Sequence, residues 1–151
     1  MSYDFKIENG DWKIDRTGDL QKVENTEKLI QDCLKILVTT VGSIPFHPTY
    51  GSYLGKNLIG NVFDTEFVSS EAQNAIKNSL ESLQKYQRSQ SLYQRVTPEE
   101  QLASIRQVTV ERNSVGPRYV SVVVEISNGA FKKETRSLGV ELSLKQRHYS
   151  I

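Results

Sequence analysis

Apolar and polar residues alternate at the start of the chain: Lys6 separates Phe5 from Ile7, Lys13 separates Trp12 from Ile14, and Asn9-Gly10 lies between the two runs. A period of two around a two-residue Asn-Gly turn predicts a β-hairpin over 3–15, with Trp12 as its anchor into the core. An isolated hairpin is marginal in water, so this one must pack on something else. The period then lengthens. Leu29, Ile30, Cys33, Leu34, Ile36, Leu37 and Val41 recur at helical spacing behind a capping Asn25, which predicts a central helix over 26–41. A connector over 42–54 concentrates Gly, Pro and aromatic residues, and the stretch up to Phe67 keeps no period, as expected of loop with a short helical turn.

Ala72, Ala75, Ile76, Leu80 and Leu83 form a narrow stripe, predicting a second helix over 70–88 with Ser70 and Gln73 spaced as a capping box. Its tail, from Gln84 to Ser91, reads as polar all round, either solvated or covered by a partner. Thr97-Pro98-Glu99-Glu100 places a cap, a first-turn proline and a box-forming acid together, the signature of a short helix over 98–104. Beyond Ile105, β-branched runs are separated by Asn113-Ser114-Val115-Gly116-Pro117 and Ser127-Asn128-Gly129, which predicts an antiparallel meander over 105–147. Gly139 to Arg147 is expected as a last edge strand, available to another chain. The whole reads as one α+β domain over 1–151: an N-terminal hairpin, a central helix, one or two further helices and a C-terminal antiparallel sheet.

Charge narrows the partners. Lys and Arg number 19 against 18 Asp and Glu, a net charge of +1, so no global field recruits nucleic acid or an acidic membrane. Lys132, Lys133, Arg136, Lys145 and Arg147 could form a local basic patch, but apart from Phe131 and Tyr149 they lack the aromatic interleaving that stacks bases. The one cysteine, Cys33, fits a reduced, cytoplasmic site of synthesis, and no apolar run approaches the ~18 residues of a spanning helix.

Catalytic chemistry finds no foothold in the pattern. Glycoside hydrolysis needs two carboxylates across a cleft, one with a raised pKa. Glu99 and Glu100 are adjacent at a helix start and read as caps, and the scattered Asp residues sit in polar settings. His47 and His148 are far apart, with no Cys-x-x-Cys, Gly-x-Ser-x-Gly or Walker pattern, so neither catalytic residues, a metal nor a cofactor is expected. The connector itself reads as a rigid turn: Gly42 suits a helix C-terminus, Pro45 and Pro48 fix φ, and Tyr50-Gly51-Ser52 presents Tyr50 and Tyr53.

Leu37, Thr39 or Thr40, Gly42, Pro48, Tyr50, Gly51, Ser52 and Leu54 also carry a resemblance. The segment is similar to the signature of the baseplate wedge family of contractile phage tails, called protein W or gene-twenty-five-like, which is related to a type VI secretion baseplate subunit. That family has Glu-Arg after the glycine, where this chain has Ser43-Ile44. Its Glu-Pro-Arg motif before the sheet corresponds here only to Arg95, within Tyr93-Gln94-Arg95-Val96. The resemblance implies a non-catalytic virion protein of the tail baseplate, made in the host bacterial cytoplasm. Six copies would surround the tube, contacting other wedge proteins, the tail sheath protein and tube or hub proteins, with strand edges offered to the first sheath ring. A type VI or extracellular injection baseplate is the alternative within the class, and a peptidoglycan-cleaving, lysozyme-like enzyme the alternative outside it.

Overall fold

Asn9 and Gly10 both take positive φ, 54° and 80°, the backbone that a tight hairpin turn with right-handed twist requires. They join β2 (Ile7–Glu8) to β3 (Asp11–Trp12). The computed structural model of the chain describes residues 2–54, 65–112, 119–131, 133–141 and 149–150. The hairpin is one half of a longer arrangement. Its first strand begins as β1 (Tyr3–Phe5) and pairs there with β4 (Lys22–Glu24), so the chain changes partner at Lys6, whose N–H donates to the Gln21 carbonyl while its own carbonyl accepts from Lys13. Trp12 does not anchor the core: it is 61% exposed, its ring tilted at 58° to that of Phe5, because the face of the ribbon that meets the protein is held by Val23 and by polar contacts.

Helix α1 (Asn25–Val38) starts without the expected cap. Glu24 occupies the cap position, and Asn25 sits at φ 53° with its Oδ1 accepting from Thr97 Oγ1 at 3.1 Å, a tertiary bond in place of the local one. The helix also ends three residues before position 41. Thr39 turns extended, its N–H closing on the Lys35 carbonyl, so Gly42 lies outside the helix. Gly42, at φ 84°, instead shapes the turn in which Ser43 N–H returns to the Thr40 carbonyl.

Helix α2 (Thr65–Gln90) is longer than the predicted 70–88, and Ser70 is an interior residue of it, not a cap. Positions 55–64 of the expected loop lie outside the described residues. The expected 98–104 helix is a 3-10 turn of three residues, Pro98–Glu100, and the chain is already in strand β5 (Leu102–Arg112) where helix was expected. The capping interaction forms nonetheless: Glu100 Oε2 accepts from Thr97 N–H at 2.8 Å.

The antiparallel meander follows as β5, β6 (Tyr119–Asn128), β7 (Lys133–Glu141) and a two-residue β8 (Tyr149–Ser150), in that spatial order. Gly139 therefore belongs to β7 and does not begin a last strand, Phe131 is an exposed turn residue at φ 63°, and 142–148 lie outside the described residues. Leu29, Cys33, Ile36 and Leu37 of α1, Leu54 of the connector, Ala72, Ile76, Leu80 and Leu83 of α2, and Leu102, Val108, Val122, Val124 and Ile126 of the sheet make one core. The result is the α+β class the periodicities predicted: N-terminal strands, two helices and an antiparallel sheet.

Candidate functional site

The connector is where the two helices are locked together. After Thr39 the chain leaves α1, loops through 42–50 and returns so that Ser52 runs parallel beside Thr40. Val41 N–H donates to the Ser52 carbonyl at 3.2 Å and Ser52 N–H to the Thr39 carbonyl at 2.8 Å. The Ser52 hydroxyl, 2% exposed, donates to the Leu37 carbonyl at 2.7 Å and accepts from Leu54 N–H at 3.3 Å. One small side chain thereby serves a carbonyl freed by the helix end and the backbone entering the next segment. Gly51, at φ 122°, lets this approach happen: a Cβ there would stand 2.6 Å from the Thr39 oxygen and 2.9 Å from the Val41 nitrogen. From the other side, the buried Ser79 hydroxyl of α2 shares its one proton between the Ala75 carbonyl at 2.8 Å and the Gly51 carbonyl at 3.3 Å. Leu54 then enters the core, fully buried.

Tyr50, Gly51, Ser52 and Leu54 are thus brought together in one joint. Tyr50 extends it sideways into an aromatic group with His47 and Tyr86, the Tyr86 and His47 rings meeting edge-on at 5.0 Å. Burial, with a smaller contribution from the Asp32 and Asp4 charges, pushes the Tyr50 phenol up to about 12. Gly42 and Pro48 lie on the exposed outer turn of the connector, beside Phe46, which is 91% exposed. Arg95 stands exposed beyond the end of α2 and is no part of the joint.

Beside the joint runs an open groove of about 460 Å³, lined by Asp32 and Lys28 of α1, His47 and Tyr50 of the connector, and Tyr86 and Tyr93 of the α2 end, among others. Asp32 corrects the expectation that the aspartates sit in polar settings. It is substantially desolvated, which raises its pKa, and the 2.6 Å ion pair with buried Lys28 only partly opposes that. Among the described residues the groove lining contains no second carboxylate. Glu100 is 1% exposed. Burial alone would raise its pKa, but the Thr97 N–H and the Ser2 hydroxyl and N–H, the last two both at 3.0 Å, outweigh it and the net shift is downward.

Residues that pattern reading passed over do much of the joining. Gln31 of α1 accepts from Ile7 N–H at 2.9 Å and donates to the Phe5 carbonyl at 2.7 Å, tying the N-terminal strands to the helix. Gln87 of α2, in the tail read as polar all round, is buried, donates to the Glu100 carbonyl at 3.0 Å and accepts from Leu102 N–H at 2.8 Å. A signal was present: Gln87 continues the Ile76, Leu80, Leu83 stripe at helical spacing. Among the described residues no cluster of three or more His, Cys, Asp or Glu could hold a metal, and no described helix is long and apolar enough to cross a membrane.

The fold and this joint define a small α+β protein in which two helices are clamped by a signature connector and backed by an antiparallel sheet. The chain belongs to the contractile injection system sheath initiator family, whose pattern matches residues 1–111. That membership gives it a role at the sheath and baseplate of such a machine. Among solved structures it is similar to a protein from Geobacter sulfurreducens described as a candidate tail lysozyme, with a TM-score of 0.61, 13% identity, and coverage of 80% of this chain and 93% of that one. At that identity the likeness is one of fold. No curated protein matches.

Proposed function

We propose that the chain is a non-catalytic wedge component of a phage-tail baseplate that joins other wedge proteins around the tube and templates the first sheath ring by strand pairing. The observation that carries the reading is the family match across the helices and connector, in a chain whose remaining residues build a sheet ending on a largely unpaired strand. Among the described residues, β7 has an outer partner only at Gly139 and Val140. An unpaired strand offers register through its backbone and specificity through its side chains. Within contractile machines, the phage-tail assignment rests on the resemblance of the 37–54 segment to the wedge signature.

A hydrolytic role has less support. Glycoside hydrolysis needs two carboxylates facing one another across a cleft, and among the described residues Asp32 is the one carboxylate lining its groove, where it is paired with Lys28. Glu100 has both oxygens committed to Ser2 and Thr97. The test is a seeding assay with the sheath protein encoded beside this chain. Purified chain, incorporated in its baseplate, should shorten the lag of sheath polymerisation and release no fragments from peptidoglycan. Peptidoglycan cleavage that disappears in Asp32→Asn would reverse the reading.

A further inference from the structure

The dipeptide Asn-Gly occurs twice in the sequence, at Asn9-Gly10 and at Asn128-Gly129, and the fold places the two pairs in opposite surroundings. Such a pair carries a chemistry of its own. With no side chain to crowd it, the glycine nitrogen can attack the asparagine side-chain carbonyl carbon and close a five-membered ring, provided both groups are free and the backbone between them can rotate. At Asn128 neither condition is met. The Gly129 N–H donates to the Pro98 carbonyl at 2.9 Å and to the Gln101 carbonyl at 3.1 Å. Asn128 is 1% exposed, its Oδ1 accepting from Ala130 N–H at 3.0 Å and its Nδ2 donating to Thr26 Oγ1 at 3.3 Å. A Cβ on Gly129 would stand 2.7 Å from the Pro98 oxygen, so this backbone is packed as well as bonded.

The first pair has none of these restraints. Asn9 and Gly10 are both exposed, and among the described residues no hydrogen bond holds the Gly10 N–H or the Asn9 side chain. Nothing lies within 4 Å of a Cβ built on Gly10. Ring closure requires Asn9 to rotate out of its turn conformation at φ 54°, and the hairpin resisting that rotation has only the pairs Ile7–Trp12 and Glu8–Asp11. So short a ribbon opens by itself, because the core begins at Leu29 and draws nothing from it.

We infer that Asn9 is a site of spontaneous modification in the folded protein, converting to isoaspartate and aspartate while Asn128 is preserved. Hydroxide takes the Gly10 amide proton, the nitrogen bonds to Asn9 Cγ, and the side-chain nitrogen leaves as ammonia after taking a proton from water. Water then opens the ring. Cleavage at the main-chain carbonyl routes the chain through the side chain as isoaspartate, and cleavage at Cγ leaves aspartate. Both products add a carboxylate between Glu8 and Asp11, and isoaspartate also lengthens the turn by one backbone carbon. A two-residue turn built on two positive φ angles cannot absorb that carbon, so the Glu8–Asp11 pairing is lost. Trp12, the one tryptophan of the chain, lies next to the broken pair and reports the change.

The full chain is aged at mildly alkaline pH in buffer and, in parallel, in concentrated urea. Peptide mass mapping follows the conversion of amide to acid at each asparagine, and isoaspartate is counted by carboxyl methylation with a purified isoaspartyl methyltransferase. In buffer Asn9 should convert at least about tenfold faster than Asn128, and in urea the two rates should agree within about threefold. The emission of Trp12 should shift in step with isoaspartate. Asn9→Asp, which adds the charge without the extra carbon and keeps a residue suited to the turn, should leave that emission unchanged. Equal conversion of the two residues in buffer, or an Asn9 preserved in buffer that converts in urea, would overturn the inference. An emission shift in Asn9→Asp as large as in the aged chain would overturn the lengthened turn as its cause.

Discussion

Gly51→Ala tests whether the connector is a joint or merely a loop. The glycine sits at φ 122°, and the added methyl would be placed 2.6, 2.9 and 3.0 Å from Thr39 O, Val41 N and Thr40 C, all backbone atoms. Backbone cannot swing aside as a flexible side chain can, so the Thr40–Ser52 bridge must open. Holding a non-glycine residue in that region costs about 1–3 kcal/mol. Loss of the Val41-to-Ser52 and Ser52-to-Thr39 hydrogen bonds adds about 0.5–1.5 kcal/mol each. The expected destabilisation is therefore about 2–6 kcal/mol, against a total of about 5–15 kcal/mol for a domain. Gly42→Ala is the internal control: φ is 84°, but nothing lies within 4 Å of its added Cβ, so only the conformational cost of about 1–2 kcal/mol applies. Urea unfolding of both variants, with m held common, reads the difference directly. A Gly51→Ala variant as stable as Gly42→Ala would refute the close-approach argument.

Ser52→Ala should cost about 2–4 kcal/mol, because it strands the Leu37 carbonyl and Leu54 N–H in the interior, and the same urea titration reads it. Gln87→Met keeps the volume but leaves Leu102 N–H and the Glu100 carbonyl unpaired; about 2–4 kcal/mol of stability should be lost, with faster amide exchange at Leu102. Tyr50 carries a pH dependence of definite sign. Its native phenol holds a proton up to about 12 where the unfolded one releases it near 10.0, so the contribution is complete below pH 10 and is lost as pH rises towards 12. After discounting for partial exposure this is about 1–2 kcal/mol, and the stability of Tyr50→Phe should fall less over that interval. Cys33, buried and with its thiol pushed further up by burial and the Asp32 charge, should resist alkylation in native buffer and react at the rate of global opening.

Elements with an unambiguous period were legible in the sequence. Asn9-Gly10 announced its hairpin, Leu29 to Leu37 their helix, and the valines of β6 their strand. Errors fell where one local signal served a tertiary purpose. Asn25 looked like a cap and bonds Thr97 instead; Thr97 and Glu100 do form a capping contact, but the turn they begin lasts three residues before Leu102 is captured by the sheet. Trp12 reads as the hairpin's anchor, but a two-stranded ribbon has one face to give and Val23 already fills it. The joint was legible as residue types, Gly51 and Ser52 especially. Its partner Ser79, and Gln87 that fastens α2 to β5, were not, since a polar residue on a helix is ordinarily solvated and only its phase relative to the apolar stripe reveals otherwise.

Gln31 and Gln87 repeat one device. Each glutamine donates to the carbonyl of residue n and accepts from the N–H of residue n+2, Phe5 and Ile7 in one case, Glu100 and Leu102 in the other. Those are the two groups that a neighbouring parallel strand would engage, so each side-chain amide stands in for the N–H and C=O of one residue of a strand that is not there. The consequence is twofold. The helices are fastened to the strands by bonds that carry geometry as well as energy, and two positions where another chain could have added are occupied from within. A protein that must accept a strand at one edge is best served by closing its others. In the four-stranded sheet the β5 edge is closed in this way at Leu102, and among the described residues the outer side of β7 from Lys133 to Leu138 is not.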